Sequence, residues 1–148
     1  MKYTTSSAEQ TIKLGKKIAS KFKGGDVVLL HGDLGTGKTT LVKGIADYFG
    51  IEPNDVVSPT FTLMQVYPTN NEKRSTIRQL VHIDTYRLET QEQLVEIGIE
   101  DYLGDQNTIC IIEWPEKLGK LLVAKKILNI KIEHDGENER KIIRDDKL

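Results

Sequence analysis

Apolar positions along the chain follow two periods in turn. Ile12, Gly15, Ile18, Ala19 and Phe22 recur at helical intervals behind a polar start, which predicts an opening helix with one apolar face. Ser7 and Gln10 stand at its entry with the spacing of a capping box. Gly24-Gly25 ends the pattern, and Val27-Val28-Leu29-Leu30 follows as an unbroken apolar run. Such a run fits a strand of a parallel sheet that is covered on both faces. A glycine-rich turn then leads into a helix from about Lys38 to Phe49, with Leu41, Ile45 and Tyr48 along one side and Gly50 as its stop. Strand, glycine turn and helix in that order open an α/β domain.

Further along, Ser58-Pro59-Thr60 runs into Phe61 to Tyr67, whose alternation predicts a half-exposed strand, and polar Pro68 to Thr76 reads as a hairpin loop. Leu80 to Asp84 is a short strand ending in an acid. Thr90 and Gln93 offer a second capping box, opening a short helix through Leu94 and Ile97. Ile109 to Glu113 is another apolar strand ending in an acid. Ile127 to Glu133 and Lys141 to Arg144 alternate around Asp135-Gly136, as a closing β-hairpin does.

A length of 148 residues without repeat or linker suits a single domain over residues 1–148. No apolar run approaches the roughly 20 residues of a membrane helix, and the start lacks the apolar stretch of a secretory signal. A single cysteine, Cys110, has no internal partner, which fits a reducing, cytoplasmic setting. Lys and Arg (21) nearly balance Asp and Glu (22). A protein that grips RNA unaided usually shows a basic excess, so a nucleic-acid role is expected to run through a partner, without excluding a local basic patch.

The strongest chemical signal is Gly32-Asp33-Leu34-Gly35-Thr36-Gly37-Lys38-Thr39, followed by Thr40, which matches G-x-x-x-x-G-K-[ST] at every fixed position. Glycines let successive backbone N–H groups turn inward onto phosphate oxygens, and the next helix adds its positive end. In this motif Lys38 reaches the β- and γ-phosphates and the Thr39 hydroxyl holds Mg²⁺. Such a site needs a carboxylate from a neighbouring strand. Asp84 and Glu113 both stand at the ends of apolar runs, and either is alternatively a turn cap. His82 suits a packed or hydrogen-bonded strand residue better than an Mg²⁺ ligand, because Mg²⁺ prefers oxygen. Arg87 is open between a charge stabiliser and an ordinary surface ion pair. Without an evident arginine finger, hydrolysis by the chain alone is expected to be slow.

Four segments together, Gly32 to Thr40, Ser58-Pro59-Thr60-Phe61-Thr62, His82-x-Asp84-x-Tyr86-Arg87 and Ile112-Glu113-Trp114-Pro115-Glu116, resemble the bacterial TsaE proteins (also called YjeE or YdiB) in order and spacing. The resemblance runs from the first helix to about Glu116. It implies a P-loop NTPase fold: three-layer α/β/α with a mixed, mostly parallel central sheet, completed here by the C-terminal hairpin. It implies ATP or ADP with Mg²⁺ as ligands, with Thr39, Asp84 and Glu113 around the metal, Lys38 on the phosphates, and Asp33 to Thr40 forming the cradle. By the same likeness, Thr60 senses the γ-phosphate within a switch-like segment; a stiff turn at Pro59 is the plainer alternative. Thr5 and Ser6 are expected near the adenine. Trp114 is open between the nucleotide, a partner surface and the core.

The family's implied work is ATP hydrolysis serving TsaD and TsaB in threonylcarbamoyladenosine modification of tRNA beside the anticodon. There the tRNA is met only indirectly, and no membrane is involved. A small-molecule P-loop kinase is the competing expectation; it needs an acceptor pocket and usually an arginine-rich lid, whereas Pro68 to Thr76 is short and holds only Arg74. A GTP switch is demoted because no asparagine is followed by Lys-x-Asp, the guanine-reading motif.

Overall fold

Residues 1–70 and 76–146 are described by the computed structural model. In chain order the elements are β1 (Lys2–Thr5), α1 (Ala8–Ala19), β2 (Asp26–His31), α2 (Lys38–Tyr48), β3 (Met64–Pro68), β4 (Gln79–Asp84), α3 (Gln91–Glu96), β5 (Thr108–Glu113), β6 (Lys126–His134) and β7 (Arg140–Asp146). Short 3-10 turns lie at Pro53–Asp55, Ile99–Asp101, Pro115–Lys117 and Gly119–Leu122. The strands join in one seven-stranded sheet of order β1-β7-β6-β2-β5-β4-β3.

The apolar runs at Val27 and Ile109 become the two central strands, paired in parallel with Val27 opposite Cys110. β6 and β4 extend the parallel part on either side. Both flanks are antiparallel: β7 and β1 on one, β3 on the other. The sheet is therefore mixed as expected, but only its central four strands are parallel.

Residues of one strand alternate between two cores, the consequence of the two-residue period of a pleated strand. Val28, Leu30, Ile109 and Ile111 meet Leu14 and Ile18 of α1 and Leu41 and Ile45 of α2. Val27, Leu29, Cys110 and Ile112 face the other way, onto Leu94 of α3, Ile99, Leu103 and Leu118. The three layers are real, but the second covering layer is thin, built from one short helix and 3-10 turns. Burial pushes the Cys110 thiol up to about 12, so it behaves as a small apolar core residue.

α1 and α2 cross at two glycines. A Cβ on Gly44 would lie 2.1 Å from the Ile12 carbonyl oxygen, and one on Gly15 would lie 2.5 Å from that of Leu41. The backbones touch where side chains would hold them apart. Ser7 caps α1 as the sequence predicts, accepting from the Gln10 amide at 3.1 Å, while the Gln10 side chain reaches back to the Ser6 amide at 2.7 Å.

Two local expectations shift, and a third is seen in part. The polar start forms β1, an edge strand with Thr5 opposite Arg140. The strand expected from Phe61 begins only at Met64, because the chain still turns at Leu63, whose φ is +66°. The hairpin around Pro68 to Thr76 is seen in its arms, with Pro68 opposite Gln79; positions 71–75, Arg74 among them, lie outside the described residues. No helix among the described residues is long and apolar enough to cross a membrane.

Candidate functional site

The glycine loop leaves the end of β2 and enters α2 at Gly37, whose φ of +104° only glycine adopts without strain. Within it the Thr36 hydroxyl donates to the Asp33 carbonyl at 2.9 Å, and the Leu41 amide donates to the Gly37 carbonyl at 3.0 Å. Before the loop opens a cleft of about 620 Å³, bounded by Leu34, Gly35, Gly37, Lys38, Thr39 and Thr40 below and by Thr60, Asp84, Glu113 and Trp114 across it. Asp33 and Thr36 of the same loop are turned to its other side, toward a cavity edged by Gly32, Lys131 and Glu133.

Register explains how the two acids meet the loop. Asp84 stands opposite Glu113 in the β4–β5 pair, and Glu113 stands opposite Leu30 in the β2–β5 pair. All three strands thus end at one level, at the carboxyl edge where open α/β sheets take their ligands. Asp84 is buried and held from three sides: the Ser58 and Thr60 hydroxyls donate to Oδ2 at 3.1 and 3.0 Å, and the Tyr86 amide donates to Oδ1 at 2.9 Å. Thr60 is therefore bound to a carboxylate at the floor of the cleft. Glu113 is also buried; its Oε2 accepts from His82 Nε2 at 2.8 Å. His82 is indeed a hydrogen-bonded strand residue, fully enclosed, with Nδ1 left without a partner. The Thr85 hydroxyl rests against the carbonyls of Glu113 and Trp114.

Lys38 closes onto its own loop, donating to the Gly32 carbonyl at 2.7 Å. Its ammonium also lies 3.8 Å from the centre of the Trp114 ring, a cation–π contact. Trp114 is brought there by a left-handed backbone, φ +57°, rare for a bulky residue, and its ring packs on Tyr86 at 5.0 Å. Burial lowers the Lys38 pKa, and Glu113 and Asp84 oppose that effect. Arg87 lines the same cleft with its guanidinium over the exposed Phe61 ring, 4.3 Å from the centroid.

A smaller cavity of about 200 Å³ shares Gly37 and Thr40 with the cleft; Ser6, Ser7, Ala8, Thr11, Asn138 and Arg140 complete its wall. Ser6 thus reaches the site, while Thr5 turns into the fold, its hydroxyl 2.8 Å from that of Thr11. Arg140 and Asn138 belong to the hairpin, which carries no motif, and no pattern in the sequence marks them.

A mixed sheet with a parallel centre, a glycine loop between strand and helix, and two carboxylates at the adjacent strand ends define the class of P-loop NTPase folds. The family model described as "Threonylcarbamoyl adenosine biosynthesis protein TsaE" matches residues 5–142. The chain belongs to the TsaE family. It is similar to the "tRNA threonylcarbamoyladenosine biosynthesis protein TsaE" of Rickettsia conorii, 37% identical over 138 residues that cover 93% of this chain and 74% of that one. Its likeness to the Bacillus subtilis protein of the same description is 36% over 142 residues, covering 96% and 83%. Among solved structures it matches Bacillus subtilis YdiB with a TM-score of 0.70 and 33% identity, over 96% of this chain and 82% of that chain.

Proposed function

We propose that this chain is an Mg²⁺-dependent ATPase, slow alone, that serves a TsaB–TsaD complex in threonylcarbamoyladenosine modification of tRNA. The observation that carries the nucleotide part is the convergence of Lys38, Thr39, Asp84 and Glu113 on one cleft at the mouth of the glycine loop. Family membership supports the pathway, and the names of the relatives support tRNA threonylcarbamoyladenosine as its product.

The donor set suits Mg²⁺. Thr39, Asp84 and Glu113 offer only oxygen, and the imidazole nitrogen beside them, His82 Nε2, is engaged with Glu113. These three residues would hold the ion, directly or through water. Bound Mg²⁺ supplies neutralisation of the charge that develops on the phosphate oxygens. The protein's own part is positioning. Backbone amides of Gly35 to Thr39 and the positive end of α2 receive the phosphate chain. Lys38 leaves the Gly32 carbonyl and the Trp114 ring for the β- and γ-phosphates, regaining in charge pairing what burial costs it. Thr60, next to the metal-binding carboxylate, is placed to register whether a γ-phosphate is present.

The partner part draws on family membership and on the one arginine that lines this cleft among the described residues. Arg87, the arginine of this cleft, is stacked on Phe61, and transition-state arginines are worth orders of magnitude in rate. Stimulation by the partner complex supplies the missing acceleration, and turnover resets or licenses that complex between cycles. The near-balanced charge, net −1, agrees with tRNA being held chiefly by the other subunits.

Steady-state ATP hydrolysis by the chain alone and with TsaB plus TsaD tests this. Marked stimulation that Lys38→Ala abolishes, with a weaker Mg²⁺ response in Glu113→Ala, is the expected result. Absence of any stimulation by matched partners would remove the partner role, and normal Mg²⁺-ATP turnover in Glu113→Ala would remove the metal assignment.

A further inference from the structure

Arg87 follows Asp84 by three residues and lines the same cleft as Lys38, Thr39 and Glu113. Its backbone is fixed. The Tyr86 amide donates to Asp84 Oδ1 at 2.9 Å, and the Leu88 amide closes a turn on the Thr85 carbonyl at 3.0 Å. The Lys117 ammonium clamps that turn, donating to the carbonyls of Tyr86 and Leu88 at 3.1 and 2.8 Å. The side chain is held far more lightly. It is exposed, and among the described residues no carboxylate stands within ion-pair distance of its guanidinium. What it rests on is the Phe61 ring, 4.3 Å from the centroid.

That ring is 81% exposed and belongs to neither core. It is carried on a turn closed by the Leu63 amide on the Pro59 carbonyl at 2.8 Å. The turn is tied to Asp84 twice: the Thr60 hydroxyl donates to its carboxylate at 3.0 Å, and the Asp84 amide donates to the Leu63 carbonyl at 3.0 Å. Phe61 and Arg87 thus ride on two turns fastened to one residue at the floor of the cleft. A cation–π contact between two exposed groups is weak. It parks the guanidinium without locking it.

Released, Arg87 has the chemistry that hydrolysis needs. A water oxygen bonds to the γ-phosphorus while the bond to the β–γ bridging oxygen breaks, and ADP leaves with that electron pair. One water proton stays on the inorganic phosphate and the other passes to solvent. Charge shifts onto the bridging oxygen and is spread over the γ-oxygens on the way. Lys38 meets that charge as a point, whereas a guanidinium presents a planar fork that fits two oxygens at once. We propose that Arg87 is a catalytic residue kept in reserve: parked on Phe61 in the chain alone, it pairs with the γ-phosphate once that ring is drawn away. This rests on the ATPase reading above and names the source of the acceleration, an arginine of this chain that the partner complex frees by taking the exposed ring.

The test is steady-state ATP hydrolysis by the full chain, alone and with TsaB plus TsaD, for wild type, Phe61→Ala, Arg87→Ala and the double variant. Phe61→Ala alone should hydrolyse ATP about two- to fivefold faster than wild type, the gain in free guanidinium when a weak cation–π contact is removed. The double variant should show no such rise. Arg87→Ala should lose partner-stimulated turnover by about a hundredfold or more. Its ADP affinity, measured by calorimetry, should stay within about twofold of wild type, because ADP has no γ-phosphate for the fork to meet. Full stimulation of Arg87→Ala overturns the proposal, as does a rise that persists in the double variant or fails to occur in Phe61→Ala. A parallel loss of ADP affinity in Arg87→Ala also overturns it, since the arginine would then serve binding rather than the reaction. A wild-type chain that hydrolyses no ATP under either condition removes the ATPase reading itself, and this proposal with it.

Discussion

His82 and Glu113 show how one buried pair fixes a side chain of the candidate site. An enclosed carboxylate without donors would pay a large desolvation cost. His82 relieves it by giving Nε2–H to Oε2 at 2.8 Å, which fixes the carboxylate's rotation at the edge of the cleft. The other imidazole nitrogen finds no partner, so the histidine is kept for this single bond. His82→Leu should therefore destabilise the fold by about 2 kcal/mol, the usual worth of a hydrogen bond to a charged group. His82→Gln, whose amide can still donate, should recover part of that loss. Urea denaturation of the three proteins is the measurement, and equal stability of His82→Leu and wild type would mean the bond contributes nothing. The same comparison bears on chemistry. If the bond aims Glu113, the Leu variant also needs more Mg²⁺ for half-maximal ATP turnover, a shift that mere loosening of the fold does not produce.

Among elements, the crossing of α1 and α2 is the clearest case in which packing overrules propensity. Alanine is better than glycine inside a helix by about 1 kcal/mol, so Gly44→Ala looks stabilising from sequence alone. The contact says otherwise, since the new methyl would sit 2.1 Å from the Ile12 carbonyl oxygen, a backbone atom that cannot swing aside. Forcing the helices apart costs typically 1–3 kcal/mol, so the variant should lose about 1 kcal/mol net in urea denaturation. A more stable Gly44→Ala would show that the helices shift freely. This contact also marks the limit of what sequence pattern reveals. Val27 to Leu30 and Ile109 to Ile112 are legible because strands covered on both faces must be apolar throughout. The glycine loop is legible because its backbone chemistry demands glycine at fixed spacing. β1 is not, because a short edge strand with one buried residue, Thr5, has no apolar alternation to display. The contact of Arg140 with the glycine loop is not, because strand pairing carries it to Thr36, 104 residues away in sequence.

At the scale of the whole molecule, the candidate site is where separate parts of the sheet are joined. The loop from β2, the acids of β4 and β5, Thr60 from the segment before β3 and Arg140 of β7 all converge there. In the protein alone their charges are only partly matched: burial lowers the Lys38 pKa, and Arg140 has no carboxylate partner among the described residues. On the proposed reading a bound phosphate chain would pair with Lys38 at the entry of α2, so ligand binding should stabilise the fold. At an ADP concentration about 100 times its dissociation constant, stabilisation is about 2.7 kcal/mol. In a chain of 148 residues that amounts to a rise of about 5–10 °C in melting temperature. Lys38→Ala, which removes the deepest contact to the phosphates, should melt near the wild type without ligand and lose most of the rise at the same ADP concentration. The comparison is decisive because Lys38 makes its hydrogen bond to Gly32 at the cleft rather than in either core. A Lys38→Ala protein that gained the full rise would place the phosphates elsewhere and detach the glycine loop from nucleotide binding.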